Sequence, residues 1–215
     1  MIEITEAVLD GLRDTVKGSM SPKRFRHTAA VEDMVARLCA LYCPEHTHEM
    51  RAAALLHDLT KELNAEEQIS LCHRYGLAVT AQDLLSPKTF HARTAEAKIR
   101  QDLPQLATPL ILNAVRWHTT GREDMTLTEK LLYLADYIDE SRTFPNCVLL
   151  RHFFWDANPA ELSAEDRLEL LKKTLILSFD MTVRDLLTEG APIAADTILA
   201  RNRLLESAKD KKGTD

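Results

Sequence analysis

The chain has 215 residues, 45% of them hydrophobic, which is enough for one domain with a sizeable core. Its formal charge of -6 argues against nucleic acid as the main partner, because a phosphate backbone attracts basic proteins. Its apolar stretches are shorter than the roughly 18–20 residues that span a bilayer, and the N-terminus "MIEITEAVLDG" is acidic where a signal peptide is basic, so we expect a cytoplasmic protein without a membrane partner.

The composition predicts an all-α fold, because glycine, proline and aromatic residues are scarce while good helix formers recur throughout. A first amphipathic helix fits "EITEAVLDGLRDTV" and ends near Gly18. Ser21 and Pro22 are typical of an N-cap and a first helical position, so a second helix begins there. "HTHEMRAAALLHDL" predicts a third helix, and "NAEEQISLCHRYG" a fourth that is capped by Asn64 and stopped at Gly76.

The second half of the chain continues the alternation of helices and short loops. Residues 80–102 predict one or two helices with a break near Pro87, and "TPLILNAVRWHTTG" predicts a helix that ends around His118. "TLTEKLLYLADYIDESR" has apolar residues at helical spacing. Two long terminal helices follow, in "SAEDRLELLKKTLILSFDMTVRDLL" and "APIAADTILARNRLLESA", before a charged, frayed tail "KDKKGTD". Their apolar stripes pack on the preceding helices, with a homodimer interface as the alternative.

The four cysteines, Cys39, Cys43, Cys72 and Cys147, are expected to be reduced thiols in the core rather than a disulfide framework. The stretch "CALYCPEHTH" also admits a zinc site, made of Cys39, Cys43, His46 and His48. We favour the structural interpretation, because the two cysteines lie one helical turn apart on an apolar face and the spacing does not match the usual zinc patterns.

The stretch "AALLHDLTK", residues 53–61, sets His57 and Asp58 side by side at the end of an apolar run. Histidine is a common metal ligand and aspartate is an oxygen donor that can bridge two cations. Neighbours on an ideal helix point about 100° apart, so the two side chains converge only if the helix breaks there. We expect that break after Leu59.

Other helices supply further candidate ligands, namely His27, His91, His118 and Asp136. The three histidines have structural alternatives: His27 and His91 as exposed residues, and His118 as a cation that faces the end of a helix dipole. Asp136 lies among apolar neighbours in "LLYLADYID", and a buried carboxylate needs a cation or several donors. His46, His48, His73 and His152 have no matching partners.

Taken together, "RFRHTAAV", "AALLHDLTK", "FHA" and "RWHTTGREDMTLTEKLLYLADYIDESR" resemble the metal-dependent HD-domain phosphohydrolases. More closely they resemble the symmetrical bis(5'-nucleosyl)-tetraphosphatases of the YqeK type, over about residues 20–145. The resemblance implies one HD-type helical domain over residues 1–215, with residues 146–215 packing on the motif core. It also implies cleavage of diadenosine tetraphosphate, or a related dinucleoside polyphosphate, into two ADP.

The resemblance implies two metal ions, most simply iron, with manganese or zinc as alternatives that the mixed nitrogen and oxygen ligands also suit. His27, His57, Asp58 and Asp136 would hold one ion, and His91 and His118 would hold the other, with Asp58 as the bridge. Such a pair of ions activates water and neutralises phosphoryl oxygens.

A substrate with several negative charges requires further cations near the metals. Arg24 and Lys61 lie one helical turn from predicted ligands and Arg142 follows shortly after Asp136, so we expect all three to bind substrate. Their alternative role is as solvated surface charges. Asp58, Lys61 and Arg142 are the expected catalytic residues, and Thr119 and Gly121 are further expected substrate contacts.

The chain departs from the family pattern at "YIDESR", where proline usually follows the acidic residue, and at "HARTAEA", where glycine often follows the histidine. Two other functions stay open from the sequence. One is an HD phosphohydrolase acting on a nucleoside monophosphate, a deoxynucleoside triphosphate or guanosine tetraphosphate, and the other is a nucleotide-sensing protein with little turnover.

Overall fold

The computed structural model describes residues 2–209, which fold into helices and loops without a β-strand in that range. The all-α prediction is therefore confirmed. Eleven α-helices lie in this part of the chain: α1 Glu6–Ser19, α2 Pro22–Tyr42, α3 Thr47–Leu56, α4 Ala65–Arg74, α5 Ala81–Leu85, α6 Phe90–Asp102, α7 Pro109–Trp117, α8 Leu127–Ile138, α9 Pro145–Trp155, α10 Ala164–Thr188 and α11 Ala195–Lys209. Short 3₁₀ turns at Pro44–His46, Pro87–Thr89 and Pro104–Leu106 precede α3, α6 and α7.

Side-chain caps fix several helix ends where the sequence predicts them. The Ser21 side chain accepts a hydrogen bond from the amide of Arg24, with Pro22 in the first turn of α2. Asn64 and Glu67 form a capping box at the start of α4. Gly76 follows α4 at a φ of 67°, a conformation that glycine adopts without strain. These local signals were sufficient to predict the ends concerned.

The central layer consists of α2, α3, α7 and α8, with α6 packed against α7. Val31, Leu55, Ile111 and Leu131 contribute fully buried side chains from the four central helices. The helices α9 and α10 pack against α8, and α11 packs against α10. The C-terminal helices therefore cover one side of the layer that carries the predicted metal ligands.

One local prediction was wrong and one helix was missed. Helix α3 ends at Leu56 rather than after Leu59, and the chain then winds through i to i+3 hydrogen bonds, such as Leu59 N to Leu56 O and Lys61 N to Asp58 O. Helix α9 was not predicted. It begins without a side-chain cap and exposes Leu149 and Phe153, so its sequence lacks the amphipathic pattern of a surface helix.

None of the helices within residues 2–209 combines the length and the apolar character that a bilayer span requires. Residues 210–215, which include most of the predicted frayed tail, lie outside the described residues.

Candidate metal centre

Five helices bring the six predicted ligands to one place, although these residues are up to 109 positions apart in the chain. His27 lies in the second turn of α2, and His91 lies in the first turn of α6. The residues at the ends of α3, α7 and α8 complete the set. We call the six residues the polar cluster: His27, His57, Asp58, His91, His118 and Asp136. Five of them are buried, and the Asp136 side chain is 19% exposed.

One half of the polar cluster surrounds Asp136. The Asp136 Oδ1 atom lies 2.9 Å from Nε2 of His27 and 3.7 Å from Nε2 of His57. Asp58 approaches the same two rings with its Oδ2 atom, at 3.8 Å from His27 and 3.3 Å from His57. The four side chains therefore direct ring nitrogens and carboxylate oxygens toward a common point.

The other half surrounds the second oxygen of Asp58. The Asp58 Oδ1 atom lies 3.4 Å from Nε2 of His91 and 3.7 Å from Nε2 of His118. The two imidazole nitrogens are 3.1 Å apart. Asp58 thus uses a different carboxylate oxygen for each pair of histidines, which is the arrangement that a bridging carboxylate requires.

Backbone carbonyls set the tautomers of three of these histidines. The Nδ1 atoms of His57, His91 and His118 lie 2.6, 2.8 and 2.7 Å from the carbonyl oxygens of the residues three positions earlier in the chain. A carbonyl only accepts, so each Nδ1–H donates and each Nε2 is left as the ring atom that can bind a metal. Metal-binding histidines are oriented in this way by a partner on the other ring nitrogen.

Two of the four Nε2 atoms have no aligned hydrogen bond. The Nε2 atoms of His27 and His57 are buried without one among residues 2–209, and the carboxylate of Asp136 lies 2.9 Å from Nε2 of His27. Burial lowers the pKa of both His91 and His118, which keeps these rings neutral with their Nε2 atoms facing each other. A cation would satisfy all these acceptors at once, so the cluster is able to bind metal.

The two carboxylates of the cluster stay ionised despite their surroundings. Burial opposes the charge on Asp58, but the adjacent His57 holds the pKa of its carboxyl well below the usual range. Burial also opposes the charge on Asp136, and Arg142 with His27 holds that pKa well below the usual range. Both residues are therefore anionic ligand groups at neutral pH.

The three predicted cations border the cluster. Arg24 Nη1 lies 2.7 Å from Asp58 Oδ2, and Arg142 Nη2 lies 2.5 Å from Asp136 Oδ1. Lys61 Nζ lies 3.2 Å from Nε2 of His91, and burial lowers the pKa of this lysine. The prediction that helical spacing would bring these three side chains to the site agrees with this geometry, while their contacts with substrate stay a prediction.

Thr119 and Gly121 belong to the loop that follows α7. The Thr119 hydroxyl lies 3.0 Å from Nε2 of His91, at the edge of the cluster. Gly121 has a φ of 66°, and an added Cβ atom would lie 2.9 Å from Cζ of Phe179 and 3.0 Å from Cβ of Ala200. Gly121 therefore lets α10 and α11 approach the loop that carries His118, and its contact with substrate stays a prediction.

The sequence analysis missed Asp139, which is fully buried beside the cluster. Its Oδ2 atom lies 3.2 Å from Nδ1 of His27 and 3.2 Å from Nε of Arg142, and its Oδ1 accepts a 2.8 Å hydrogen bond from the amide of Ser141. Asp139 therefore orients the His27 ring by facing its Nδ1 atom, as the backbone carbonyls orient the rings of His57, His91 and His118. The available signal was its position three residues after Asp136, immediately after the end of α8.

The remaining histidines and the cysteine cluster do not join this site. His46 lies 3.6 Å from Glu49, His48 lies 3.3 Å from Glu6, and both side chains are more than 40% exposed. Cys39 and Cys43 are buried one turn apart with their sulfurs 3.9 Å apart. The structural interpretation of "CALYCPEHTH" thus agrees with the geometry.

A comparison with known protein families finds a match over more than half of the chain. A sequence model of the HD domain matches residues 24–141, which include all six residues of the polar cluster. This match confirms the resemblance to HD-domain proteins that the motifs indicated.

Three curated relatives have the name "Bis(5'-nucleosyl)-tetraphosphatase, symmetrical". The one from Halalkalibacterium halodurans is 29% identical over 196 residues, covering 90% of this chain and 95% of its own. The one from Bacillus subtilis is 28% identical over 193 residues, with the same coverage. The one from Staphylococcus aureus is 28% identical over 171 residues, covering 78% of this chain and 84% of its own.

A crystal structure from Clostridium acetobutylicum, described as a predicted HD superfamily hydrolase involved in NAD metabolism, has a similar fold. The TM-score is 0.78 at 30% identity, and the alignment covers 92% of this chain and 97% of that one. The likeness extends well beyond the matched residues 24–141, into the C-terminal helices.

Proposed function

Because this chain belongs to the HD-domain family, we propose that it is a metal-dependent phosphoanhydride hydrolase that cleaves diadenosine tetraphosphate, and related dinucleoside polyphosphates, into two nucleoside diphosphates. The names of the three curated relatives support this reaction. The observation that carries it is the convergence of four imidazole Nε2 atoms and two ionised carboxylates on one buried spot bordered by three cations. This donor set suits metal-assisted attack on a polyphosphate.

The proposed metal ligands follow the two halves of the polar cluster. His27, His57, Asp58 and Asp136 would hold one ion, while His91 and His118 would hold the second together with Asp58. Mixed imidazole and carboxylate ligands favour iron, manganese or zinc over magnesium, which prefers an oxygen shell. We propose iron, on the resemblance to the tetraphosphatases, and manganese or zinc as functional substitutes. A cytoplasmic location stays a prediction from the sequence.

When bound, the metal ions supply an activated water and positive charge at the phosphorus atom under attack. The protein's own part is to hold the polyphosphate in line and to neutralise its charge. Arg24 and Arg142 are directed at the carboxylates on the His27 side, and Lys61 lies on the His91 side, so phosphoryl oxygens bound over the cluster meet a cation from either direction. The Thr119 hydroxyl is positioned to donate to a phosphoryl oxygen at the same place.

The proposed reaction is attack on one of the two middle phosphorus atoms. The oxygen of water forms a bond to that phosphorus, and the bond from the same phosphorus to the central bridging oxygen breaks. The bridging oxygen leaves on the second ADP, whose developing negative charge is neutralised by the cations that border the cluster. No covalent intermediate with the protein is required.

The test is to incubate the purified protein with diadenosine tetraphosphate and iron or manganese, and to separate the products by anion-exchange chromatography. ADP as the sole nucleotide product is the expected result. AMP together with ATP, or no reaction in the presence of either metal beside turnover of another nucleotide, would contradict the proposed substrate and cleavage position.

A further inference from the structure

The four imidazole rings of the polar cluster form a row with a cavity at each end. The ring centroids are 5.6 Å apart between His27 and His57, 4.9 Å between His57 and His118, and 5.0 Å between His118 and His91. His27, at one end of the row, lines a cavity of about 600 Å³, which we call the His27 cavity. His91, at the other end, lines a cavity of about 290 Å³, which we call the His91 cavity.

The His27 cavity is strongly cationic. Its lining includes Lys23, Arg24, Arg26 and Arg142, against a single acidic residue, Glu62. Glu62 already accepts a 2.8 Å hydrogen bond from the amide of Ser21. Lys23 and Arg26 are exposed and have no acidic partner in the part of the chain that the structure describes. The cavity therefore has positive charge that no ion pair within the described residues neutralises, and this charge suits an anionic ligand.

The His91 cavity is smaller and has a different lining. Lys61 and Lys88 supply two cations, and no acidic side chain lines it among residues 2–209. Leu63 and Pro87 supply apolar surface. This cavity thus also combines positive charge with a surface on which an apolar or planar group can pack, but no phenylalanine, tyrosine or tryptophan lines it among residues 2–209.

The His27 cavity has an exposed phenylalanine ring, that of Phe144. Its side chain is 66% exposed although the residue lies next to the cationic lining. Phe144 occupies the N-cap position of α9 with extended backbone angles, φ -63° and ψ 138°, which the following Pro145 favours. The ring is therefore carried on a restricted backbone, and exposed aromatic rings beside cationic grooves are the surfaces on which nucleic-acid bases stack.

We propose that the two cavities are separate subsites for the two nucleoside diphosphate halves of the substrate, with Phe144 as the base-stacking residue of the His27 cavity. This inference rests on the proposed function, since cleavage at the central bridge requires one nucleoside diphosphate on each side of the cluster. The unequal sizes of the cavities, and the presence of a phenylalanine ring in only one of them, predict that the two halves bind with unequal affinity. Stacking tolerates any base, so guanine in the His27 cavity is accepted as well as adenine.

The test is calorimetric titration of the manganese-loaded protein with ADP, and separately with inorganic pyrophosphate, which has the charge but no base. The wild-type protein should bind two ADP molecules per chain with different affinities. Phe144→Ala should weaken one ADP site at least about fivefold, the lower end of what base stacking contributes, and change pyrophosphate affinity less than twofold. Phe144→Tyr should restore the ADP affinity.

Phe153→Ala is the matched control, because Phe153 is another exposed phenylalanine, on α9, that lines neither cavity. It should leave both titrations unchanged. A single ADP per wild-type chain would overturn the two-subsite arrangement, and an equal loss of ADP and pyrophosphate affinity in Phe144→Ala, or no loss at all, would overturn the stacking role. These results are distinct from failure of the proposed function, which would appear as a wild-type protein that does not convert diadenosine tetraphosphate to ADP.

Discussion

At the scale of single residues, the site depends on how each ring nitrogen is occupied. A backbone carbonyl three residues earlier holds the Nδ1–H of His57, His91 and His118, and Asp139 faces Nδ1 of His27. These contacts direct all four Nε2 atoms inward, so the ring nitrogens that can bind metal are concentrated at one place. The proposed metal binding depends on this convergence of four rings more than on any single ligand.

Asp58 is the residue whose loss should affect both halves of the cluster. Asp58→Ala removes the only carboxylate that approaches all four histidines in the described structure, so we expect loss of bound metal and of hydrolysis together. Metal content by mass spectrometry and product formation from diadenosine tetraphosphate measure the two effects. Asp33→Ala, at an exposed position on α2, is the matched control and should retain both. Full activity in Asp58→Ala would rule out the bridging role.

Asp139 should act on metal binding through His27. Asp139→Asn keeps the size of the side chain but removes the charge that faces Nδ1 of His27, and changes of this kind typically reduce metal affinity about 10- to 100-fold. Competition with a chelator measures that affinity. Glu140→Gln, with the neighbouring but 60% exposed carboxylate, is the control and should leave it unchanged. Unchanged metal affinity in Asp139→Asn would refute the positioning role.

His27 gives a pH dependence to the metal-free protein. Burial lowers the pKa of His27, but Asp136 and Asp139 outweigh that effect and raise it to about 9, above the ordinary value of about 6.5. A raised pKa stabilises the fold fully below pH 6.5, and this stabilisation disappears as the pH rises to 9. The free energy of unfolding in chelator should therefore fall by up to about 1.4 kcal/mol per pH unit over that window.

Urea unfolding at several pH values measures this effect, with His27→Gln as the reference that lacks it. Metal-saturated protein should also lack it, because a nitrogen that binds metal cannot carry the proton. The same pH slope in wild type and His27→Gln would contradict the assignment.

At the scale of helices, local signals predicted most boundaries, and long-range contacts determined the rest. Ser21, Asn64 and Pro87 act through their immediate neighbours, so the sequence was enough to place the helix ends near them. The early end of α3 could not be predicted, because the pattern "AAALLHDL" continues the helical periodicity and the break is tied to the contacts of His57 and Asp58. Asp139 was missed for a related reason, since its role depends on His27, which is 112 positions earlier in the chain.

The contact of α10 and α11 with the loop after α7 can be tested with a pair of glycines. Gly121→Ala and Gly76→Ala both place a side chain at a positive φ, which costs about 1–2 kcal/mol, but only Gly121 has close neighbours. Overpacking against Phe179 and Ala200 should cost about 1–3 kcal/mol more. Denaturant unfolding measures the difference. Equal destabilisation of the two variants would mean that the C-terminal helices do not constrain this loop.

At the scale of the whole molecule, the charge around the two cavities is opposite in sign to the net charge. The chain carries a formal charge of -6, yet the two cavities are lined by six cationic side chains, Lys23, Arg24, Arg26, Lys61, Lys88 and Arg142. Composition alone argued against a general affinity for nucleic acid, which stays a prediction, and it could not indicate a local attraction for polyphosphates. That residues 1–215 form one domain stays a prediction, and so does the alternative of a homodimer interface on the terminal helices.

Hydrolysis of diadenosine tetraphosphate in water enriched in ¹⁸O tests the central claim most directly. Attack at a middle phosphorus transfers one water oxygen to one of the two ADP molecules from each substrate. Mass spectrometry should therefore find one ¹⁸O atom in half of the ADP and none in the other half. Label in AMP or ATP would contradict symmetrical cleavage, and unlabelled ADP would contradict attack by water.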